Sequence, residues 1–180
     1  FSAQSIADRL EDAQAEFIVT CDGAFRGGKD IPLKSVIDDA LIGNKRVKKV
    51  IVYTRTRTPV SMIKGRDVWW ADEMEHAEQQ VEKNGVVHFP AAEMDAEDPL
   101  FILYTSGSTG KPKGVVHSTA GYMVWTNYTF VNAFQYQPGD IHFCTADIGW
   151  ITGNSYILYG PLSEGATCVL FEGIPTWPDA

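Results

Sequence analysis

The chain has 180 residues, 44% of them hydrophobic and 21% charged, which is the composition of a globular domain with its own core. Its formal net charge of −8 argues against the general basic surface that nucleic-acid binding requires. Three widely spaced cysteines, Cys21, Cys144 and Cys168, favour reduced thiols in the cytoplasm over a disulfide framework. No apolar run reaches the ~18 residues of a membrane span, and the four histidines lack metal-ligand spacing.

The first third of the chain predicts alternating helices and strands. The predicted elements, in chain order, are a helix over 2–15, a strand over 17–21, a glycine-containing loop over 22–32, a helix over 34–42 and a strand over 47–54. The second strand is apolar through its middle, as buried parallel strands are. This alternation predicts an α/β fold with a mainly parallel sheet and helices on both faces.

The rest of the chain is less regular. Its predicted elements are a loop over 55–67, a mostly polar helix over 68–83, a connector over 86–97, a strand over 100–104, a short strand at 115–116, an aromatic helix over 120–132, a turn at 138–140, and apolar segments at 142–145, 156–158 and 166–171. We find no internal repeat.

A loop rich in hydroxyls, glycines and lysines carries the chemistry of this sequence. Four hydroxyl side chains, three glycines and two lysines lie within the ten residues 105–114. Glycines let the backbone approach a ligand closely, hydroxyls donate hydrogen bonds and lysines add positive charge. The loop therefore suits a polyphosphate.

Two other interpretations of this loop fit the residues less well. A P-loop, GxxxxGK[ST], fits poorly, because Thr105 stands where its first glycine should be and Pro112 follows Lys111. A flexible linker also fits poorly, because a predicted strand precedes the loop and another follows it. Pro112 and Gly114 both break helices, so we predict a strand-to-strand loop at the surface, mobile without nucleotide.

The segment YTSGSTGKPKGVVH, residues 104–117, resembles the phosphate-binding signature of the adenylate-forming superfamily of acyl-CoA synthetases, luciferases and peptide-synthetase adenylation domains. Five other segments resemble the acetyl-CoA synthetase branch: RGGK at 26–29, AGY at 120–122, PGDI at 138–141, ADIGWITG at 146–153 with SY at 155–156, and YGPL at 159–162. The resemblance covers the whole chain, though weakly from 55 to 97.

The resemblance implies an AMP-forming acetate–CoA ligase that uses acetate, ATP, Mg²⁺ and coenzyme A. It implies an ATP phosphate site at Thr105, Ser106, Gly107, Ser108, Thr109, Gly110, Lys111 and Lys113. It implies a coenzyme A site at Arg26, Gly27, Gly28, Lys29, Thr152 and Thr176, and an acyl pocket at Trp150, Ile151 and Thr152. It implies no metal-ligating residue here, and its catalytic lysine is expected beyond Ala180. The 180 residues would then be part of the large N-terminal domain, without the C-terminal domain, and inactive alone.

Several interpretations stay open on the sequence alone. Propionate or a longer acid could be the substrate, and a non-catalytic nucleotide-binding module could use the same loop. Trp150 could equally be a buried core aromatic, whereas for Asp147 and His117 we favour structural roles. Asn154 stands where the family commonly has histidine, and Thr176 where it often has asparagine, which leaves local hydrogen bonding in doubt.

Overall fold

The computed structural model describes residues 2–85, 90–105 and 113–174. These residues form two compact units. The first unit comprises described residues up to 91, and the second comprises those from 92 onward. Each unit is described by itself below.

The first unit combines helices with short strands. Its elements are α1 (Ala3–Asp12), β1 (Phe17–Cys21), β2 (Ala24–Arg26), β3 (Lys29–Ile31), α2 (Leu33–Ala40), β4 (Lys49–Tyr53), β5 (Asp67–Trp69) and α3 (Trp70–Asn84). Helix α1 begins as predicted, because the Ser2 hydroxyl caps it by accepting a hydrogen bond from the Ser5 N–H at 3.2 Å. The helix predicted from residue 68 begins two residues later, because residues 67–69 pair with β4 as a strand.

Strands β1, β4 and β5 form a parallel three-stranded sheet, with β4 in the centre. Val50 and Val52 of β4 are fully buried and pack with Ile18, Ile37 and Leu41 into the core of this unit, which places α2 on one face. On the opposite face, Tyr53 meets the Trp70 ring of α3 edge-on. The predicted parallel strands and helices on both faces are therefore present in this sheet.

An ion network is buried beside this sheet. The Lys34 ammonium group is fully buried and lies 2.7 Å from Asp38 Oδ1 and 2.8 Å from Asp67 Oδ2. The Arg66 guanidinium bonds the same two carboxylates. Two cations thus match two anions, which is the condition under which buried charges are tolerated.

The segment 22–32, predicted as a loop, contains a β-hairpin instead. Strands β2 and β3 pair antiparallel, with Arg26 opposite Lys29. Gly27 and Gly28 join them with φ angles of 56° and 73°, and two consecutive positive φ angles are what a type I′ turn requires. The loop prediction is wrong because glycines indicate both loops and tight turns, and a Gly-Gly pair between two short strands is a hairpin signal.

The second unit places two strand pairs around a helical segment. Its elements are β6 (Pro99–Thr105), β7 (Lys113–Ser118), α4 (Thr119–Asn132), β8 (Ile141–His142), α5 (Ile151–Gly153), a π-helix (Asn154–Tyr159), α6 (Gly160–Ser163) and β9 (Thr167–Cys168). Strands β6 and β7 pair antiparallel, and β8 and β9 pair parallel. Helix α4 packs against α6, where Gly160 lets the backbones approach: a Cβ on Gly160 would lie 3.2 Å from the carbonyl oxygen of Thr126 in α4.

The predicted α/β character is confirmed, with parallel strands in the first unit's sheet. Across both units, the described residues form three parallel and two antiparallel strand pairs. Within residues 2–85, 90–105 and 113–174, no helix has both the length and the apolar character needed to cross a membrane.

Candidate functional site

The β2–β3 hairpin presents two cations side by side. Arg26 and Lys29 are cross-strand partners next to the Gly27-Gly28 turn, and both side chains are exposed. Directly opposed residues of an antiparallel pair project to the same face, with Cβ atoms roughly 5 Å apart. Two cations on one face of a tight turn can bind an anionic ligand. The structure therefore brings together the predicted RGGK residues.

A buried carboxylate holds the base of this hairpin. Asp22 is 1% exposed, and its Oδ1 accepts hydrogen bonds from the backbone N–H groups of Gly23 at 2.7 Å, Arg55 at 2.7 Å and Thr56 at 3.0 Å. Burial raises the pKa of Asp22, but the N–H donors of Arg55, Thr56 and Gly23 outweigh that effect and keep the pKa below its ordinary value. Asp22 is therefore an anion in the folded protein.

The ends of the predicted phosphate loop are fixed by strand pairing. Thr105 is the last residue of β6, Lys113 is the first of β7, and the two are paired. The chain thus leaves the signature as a strand, which confirms the predicted strand-to-strand connection. A P-loop would continue as a helix instead. The intervening Ser106, Gly107, Ser108, Thr109, Gly110, Lys111 and Pro112 lie outside the described residues.

The predicted acyl wall follows a tight turn. Asp147 Oδ1 accepts a hydrogen bond from the Gly149 N–H at 2.9 Å, and its carbonyl accepts one from the Trp150 N–H at 3.1 Å. This turn agrees with the structural role favoured for Asp147. Trp150 is 61% exposed and is not part of the buried core of the second unit. Ile151 and Thr152, in the short helix α5, are exposed beside it.

Asn154 stabilises this turn in place of the histidine common in the family. Its side-chain amide donates to the carbonyl oxygens of Ile148 at 3.0 Å and Trp150 at 3.1 Å. Ile148 belongs to the turn, and Trp150 is the first residue of the predicted acyl wall. With asparagine instead of histidine at position 154, the side chain still donates hydrogen bonds to this turn.

Gly153 brings two backbone segments into contact. A Cβ at this position would lie 2.3 Å from the Asp147 carbonyl oxygen and 2.5 Å from the Ile148 Cα. Both neighbours are backbone atoms, so a side chain could be accommodated only if the turn moved away. Gly153 thus sets how closely the turn packs on the start of the helical segment.

A buried hydrogen bond ties the π-helix to α4. Tyr122 and Ser155, 4% and 1% exposed, place their hydroxyl oxygens 2.8 Å apart. Burial raises the pKa of Tyr122, so it remains a neutral hydroxyl. Both residues lie in segments that resemble the family, but the resemblance assigns neither of them a role. Their contact joins residues 33 positions apart, so no local sequence pattern indicates it.

A cluster of aromatic rings connects the β6–β7 hairpin with α4 and the π-helix. Phe101 of β6 lies with its ring centroid 4.8 Å from His117 of β7, 4.8 Å from Tyr122 and 5.7 Å from Tyr159. His117 is thus one member of an aromatic cluster, in agreement with a structural role. Through Phe101 and Tyr122, the strands that carry the phosphate loop share one packed cluster with the π-helix that follows the acyl wall.

The remaining site predictions are distributed as follows. Thr176, predicted to contact the coenzyme, lies outside the described residues. In the part of the chain that the structure describes, His, Cys, Asp and Glu form no group of three or more that could hold a metal ion. The three cysteines, all in described segments, form no disulfide.

Asp22 is the site residue that sequence reasoning missed. The sequence places it only at the start of a predicted loop, although an Asp-Gly pair directly after a buried strand is a known turn signal. What the sequence could not show is that its partners, Arg55 and Thr56, follow the neighbouring parallel strand β4.

Comparisons with known proteins identify the family of this chain. The family model "AMP-binding enzyme" matches residues 1–180. The chain is 53% identical over 183 residues to the acetyl-coenzyme A synthetase of Bartonella quintana, covering 99% of this chain and 27% of that relative. It is 50% identical over 182 residues to that of Cronobacter sakazakii, covering 100% and 27%, and 51% identical over 180 residues to that of Escherichia coli K12, covering 99% and 26%. The chain thus spans about a quarter of the length of these curated relatives, and it belongs to the AMP-binding enzyme family.

Proposed function

We propose that this chain is the phosphate- and coenzyme-binding part of an AMP-forming acetate–CoA ligase, called the full-length enzyme below. The proposal places residues 1–180 in a large N-terminal domain built on a mainly parallel sheet. The observation that carries it is the pairing of Thr105 with Lys113, which makes the hydroxyl- and glycine-rich signature a strand-to-strand loop. About 50% identity to curated acetyl-coenzyme A synthetases over the whole chain supports it.

The proposed reaction has two steps. The acetate carboxylate attacks the α-phosphate of ATP, giving acetyl-AMP and pyrophosphate, and the thiol of coenzyme A then displaces AMP. Acetate is ionised at neutral pH, so the first step requires no general base. It requires in-line positioning and neutralisation of the charge that develops on pyrophosphate.

The phosphate loop is suited to that first step. We assign pyrophosphate binding to its hydroxyls, backbone N–H groups and two lysines, at Thr105, Ser106, Gly107, Ser108, Thr109, Gly110, Lys111 and Lys113. Removing one preorganised donor of this kind typically raises a barrier by about 3 kcal/mol. The antiparallel strands fix both ends of the loop, at Thr105 and Lys113.

The β2–β3 hairpin is suited to the second step. Arg26 and Lys29 project from the same face of a tight turn and can hold the phosphates at the nucleotide end of coenzyme A. Gly27 and Gly28 supply a turn that no bulky side chain obstructs. Thr152 and Thr176 are assigned to the coenzyme as well, and Trp150, Ile151 and Thr152 to the acyl pocket.

The proposal also covers magnesium, the cellular compartment and the partners. Mg²⁺ would neutralise ATP phosphates, but no carboxylate cluster for it exists among the described residues, so we assign it no protein ligand. Cysteines without disulfides are consistent with the cytoplasm. The proposed partners are the small molecules acetate, ATP and coenzyme A.

The two half-reactions provide the test. In the full-length enzyme, Arg26→Ala should raise the KM for coenzyme A about tenfold, since a charged hydrogen bond is typically worth about 1.5–3 kcal/mol. Acetate-dependent exchange of labelled pyrophosphate into ATP should stay within about twofold, because that step does not involve the coenzyme phosphates.

Lys48→Ala is the matched control. Lys48 is an exposed cation of the same unit that pairs with Glu16 at 2.6 Å, away from the hairpin, so its loss should leave both half-reactions unchanged. Loss of both half-reactions in Arg26→Ala would move that residue out of a coenzyme site. The full-length enzyme should catalyse pyrophosphate exchange with acetate, propionate or a longer carboxylic acid. If none of these acids supports exchange, the proposed function is refuted.

A further inference from the structure

We propose that Asp22 is a positioning residue that sets the place of the Arg26–Lys29 hairpin and thereby the affinity for the anionic end of coenzyme A. The proposal rests on the proposed function of that hairpin. It adds a residue that lies four positions before Arg26 and whose side chain is buried, so that it acts through the backbone rather than on the ligand.

Asp22 lies where parallel strands deliver ligand-binding loops. It directly follows β1, and its N–H donates to the Tyr53 carbonyl at the end of β4. In open α/β sheets, ligands bind outside the carboxyl ends of the strands. The hairpin is therefore anchored at the edge of the sheet that such folds use for binding.

Both ends of the hairpin segment converge on Asp22. Its carboxylate binds the N–H of Gly23, where the segment enters β2. Its carbonyl oxygen accepts the N–H of Lys34 at 3.4 Å, just after the segment leaves β3 and enters α2. One residue thus closes the segment that contains the Gly27-Gly28 turn.

The carboxylate also joins the hairpin to the loop after β4. It accepts the N–H groups of Arg55 and Thr56, and the Arg55 guanidinium lies 5.1 Å from the ring centroid of Phe25 in β2. Gly23 also packs closely against the Thr56 side chain, because a Cβ on Gly23 would lie 2.4 Å from Thr56 Oγ1. The loop and the hairpin base therefore move together.

Core stability alone does not explain this carboxylate. Its second oxygen, Oδ2, is buried and accepts no hydrogen bond of normal geometry from the described residues, although the Arg57 N–H contributes to the lowered pKa of the carboxyl. A buried carboxylate oxygen without a partner is destabilising, and native structures keep few of them. The Asp22 carboxylate accepts N–H groups from two segments, and this explains its presence better than core stability does, because it fixes the position of one segment relative to the other.

The first test compares two variants of the full-length enzyme. Asp22→Asn keeps the shape but removes the negative charge, and should raise the KM for coenzyme A about tenfold, with kcat and acetate-dependent pyrophosphate exchange within about twofold. Val50→Ala creates a cavity in the core of the same unit without touching the hairpin, and serves as a control for general destabilisation. The proposal is overturned if both variants lose thermal stability and leave the KM for coenzyme A unchanged.

A steric variant tests the same geometry without altering charge. Gly23→Ala should raise the KM for coenzyme A in the same selective way, because its Cβ collides with Thr56 Oγ1. Adding Thr56→Ala removes that atom and should restore part of the affinity, since the next contacts, to Thr58 Oγ1 and the Ile31 carbonyl, are 3.0 and 3.1 Å. Absence of any restoration would contradict the proposed coupling.

Amide hydrogen exchange separates this inference from the proposed function. Asp22→Asn should speed exchange in residues 24–31 and 55–57 while leaving the β1–β4 ladder protected. If the unaltered enzyme makes no acetyl-CoA, the proposed function fails, whatever the exchange pattern. If it makes acetyl-CoA and Asp22→Asn changes neither exchange nor the KM for coenzyme A, only the positioning role fails.

Discussion

Gly153→Ala should disable the acyl wall by moving its preceding turn. The added Cβ would lie 2.3 Å from the Asp147 carbonyl oxygen, whereas ordinary contacts begin at 3.4 Å, so the two segments must separate by about 1 Å. Misplacement of about 1 Å at a reacting centre can reduce a rate about a hundredfold. We therefore expect about a hundredfold lower kcat/KM for acetyl-CoA formation by the full-length enzyme.

The assay measures both half-reactions, because the wall faces acetate in the first and coenzyme A in the second under the proposed function. Gly149→Ala is the matched comparison: it lies in the same turn, but its Cβ would meet only the Asp147 side-chain oxygen, at 3.2 Å. That side chain can adjust by a few tenths of an ångström, so activity should stay within about threefold. Full activity of Gly153→Ala would refute the reasoning, because it would mean that the wall tolerates displacement.

Two further predictions concern buried polar groups. Tyr122→Phe and Ser155→Ala should each lower the free energy of unfolding by about 1 kcal/mol, because each leaves the partner's buried hydroxyl unpaired. The double variant leaves neither hydroxyl, so it should lose less than the sum of the two single losses. Additive losses in urea titrations would contradict this prediction. Burial raises the pKa of Asp67, but Arg66, the Ile63 N–H and Lys34 outweigh it and lower the pKa from 3.8 to about 2. The resulting stabilisation, about 2 kcal/mol, is complete above pH ~4 and lost as pH falls toward 2. The difference in unfolding free energy between Asp67→Asn and the unaltered enzyme should therefore become smaller as the pH falls from about 4 toward 2. A difference that stays constant over this range would refute the lowered pKa of Asp67.

Local patterns were sufficient for some of the regular elements of this chain. The strand predicted over residues 17–21 is β1, and the helix predicted over 120–132 is α4 with one further residue at its start. Both have strong local signals: β-branched and aromatic residues in β1, and a long, mostly apolar and aromatic stretch without proline in α4. The pattern at 156–158 indicates only an apolar segment, and the structure places these residues in a π-helix, which depends on tertiary packing.

The candidate site was recognisable from its motif, but its geometry was not. The hydroxyls, glycines and lysines of residues 105–114 indicate a phosphate ligand by their chemistry alone. Nothing in that string states that Phe101, four residues before it, shares a ring cluster with Tyr122 and Tyr159. Such contacts join residues far apart in sequence, so they follow from topology rather than from any local pattern.

Asp22 and Gly153 illustrate why supporting residues escape a motif search. Neither presents a reactive group to a ligand: one is a buried carboxylate, and the other has no side chain. Each acts by fixing the distance between two backbone segments. Asp22 joins the hairpin base to the loop after β4, and Gly153 sets the distance between the turn and the helical segment. Binding geometry has to be held within a fraction of an ångström, so substitutions at such residues should alter KM or kcat as strongly as substitutions at the residues that contact the substrate.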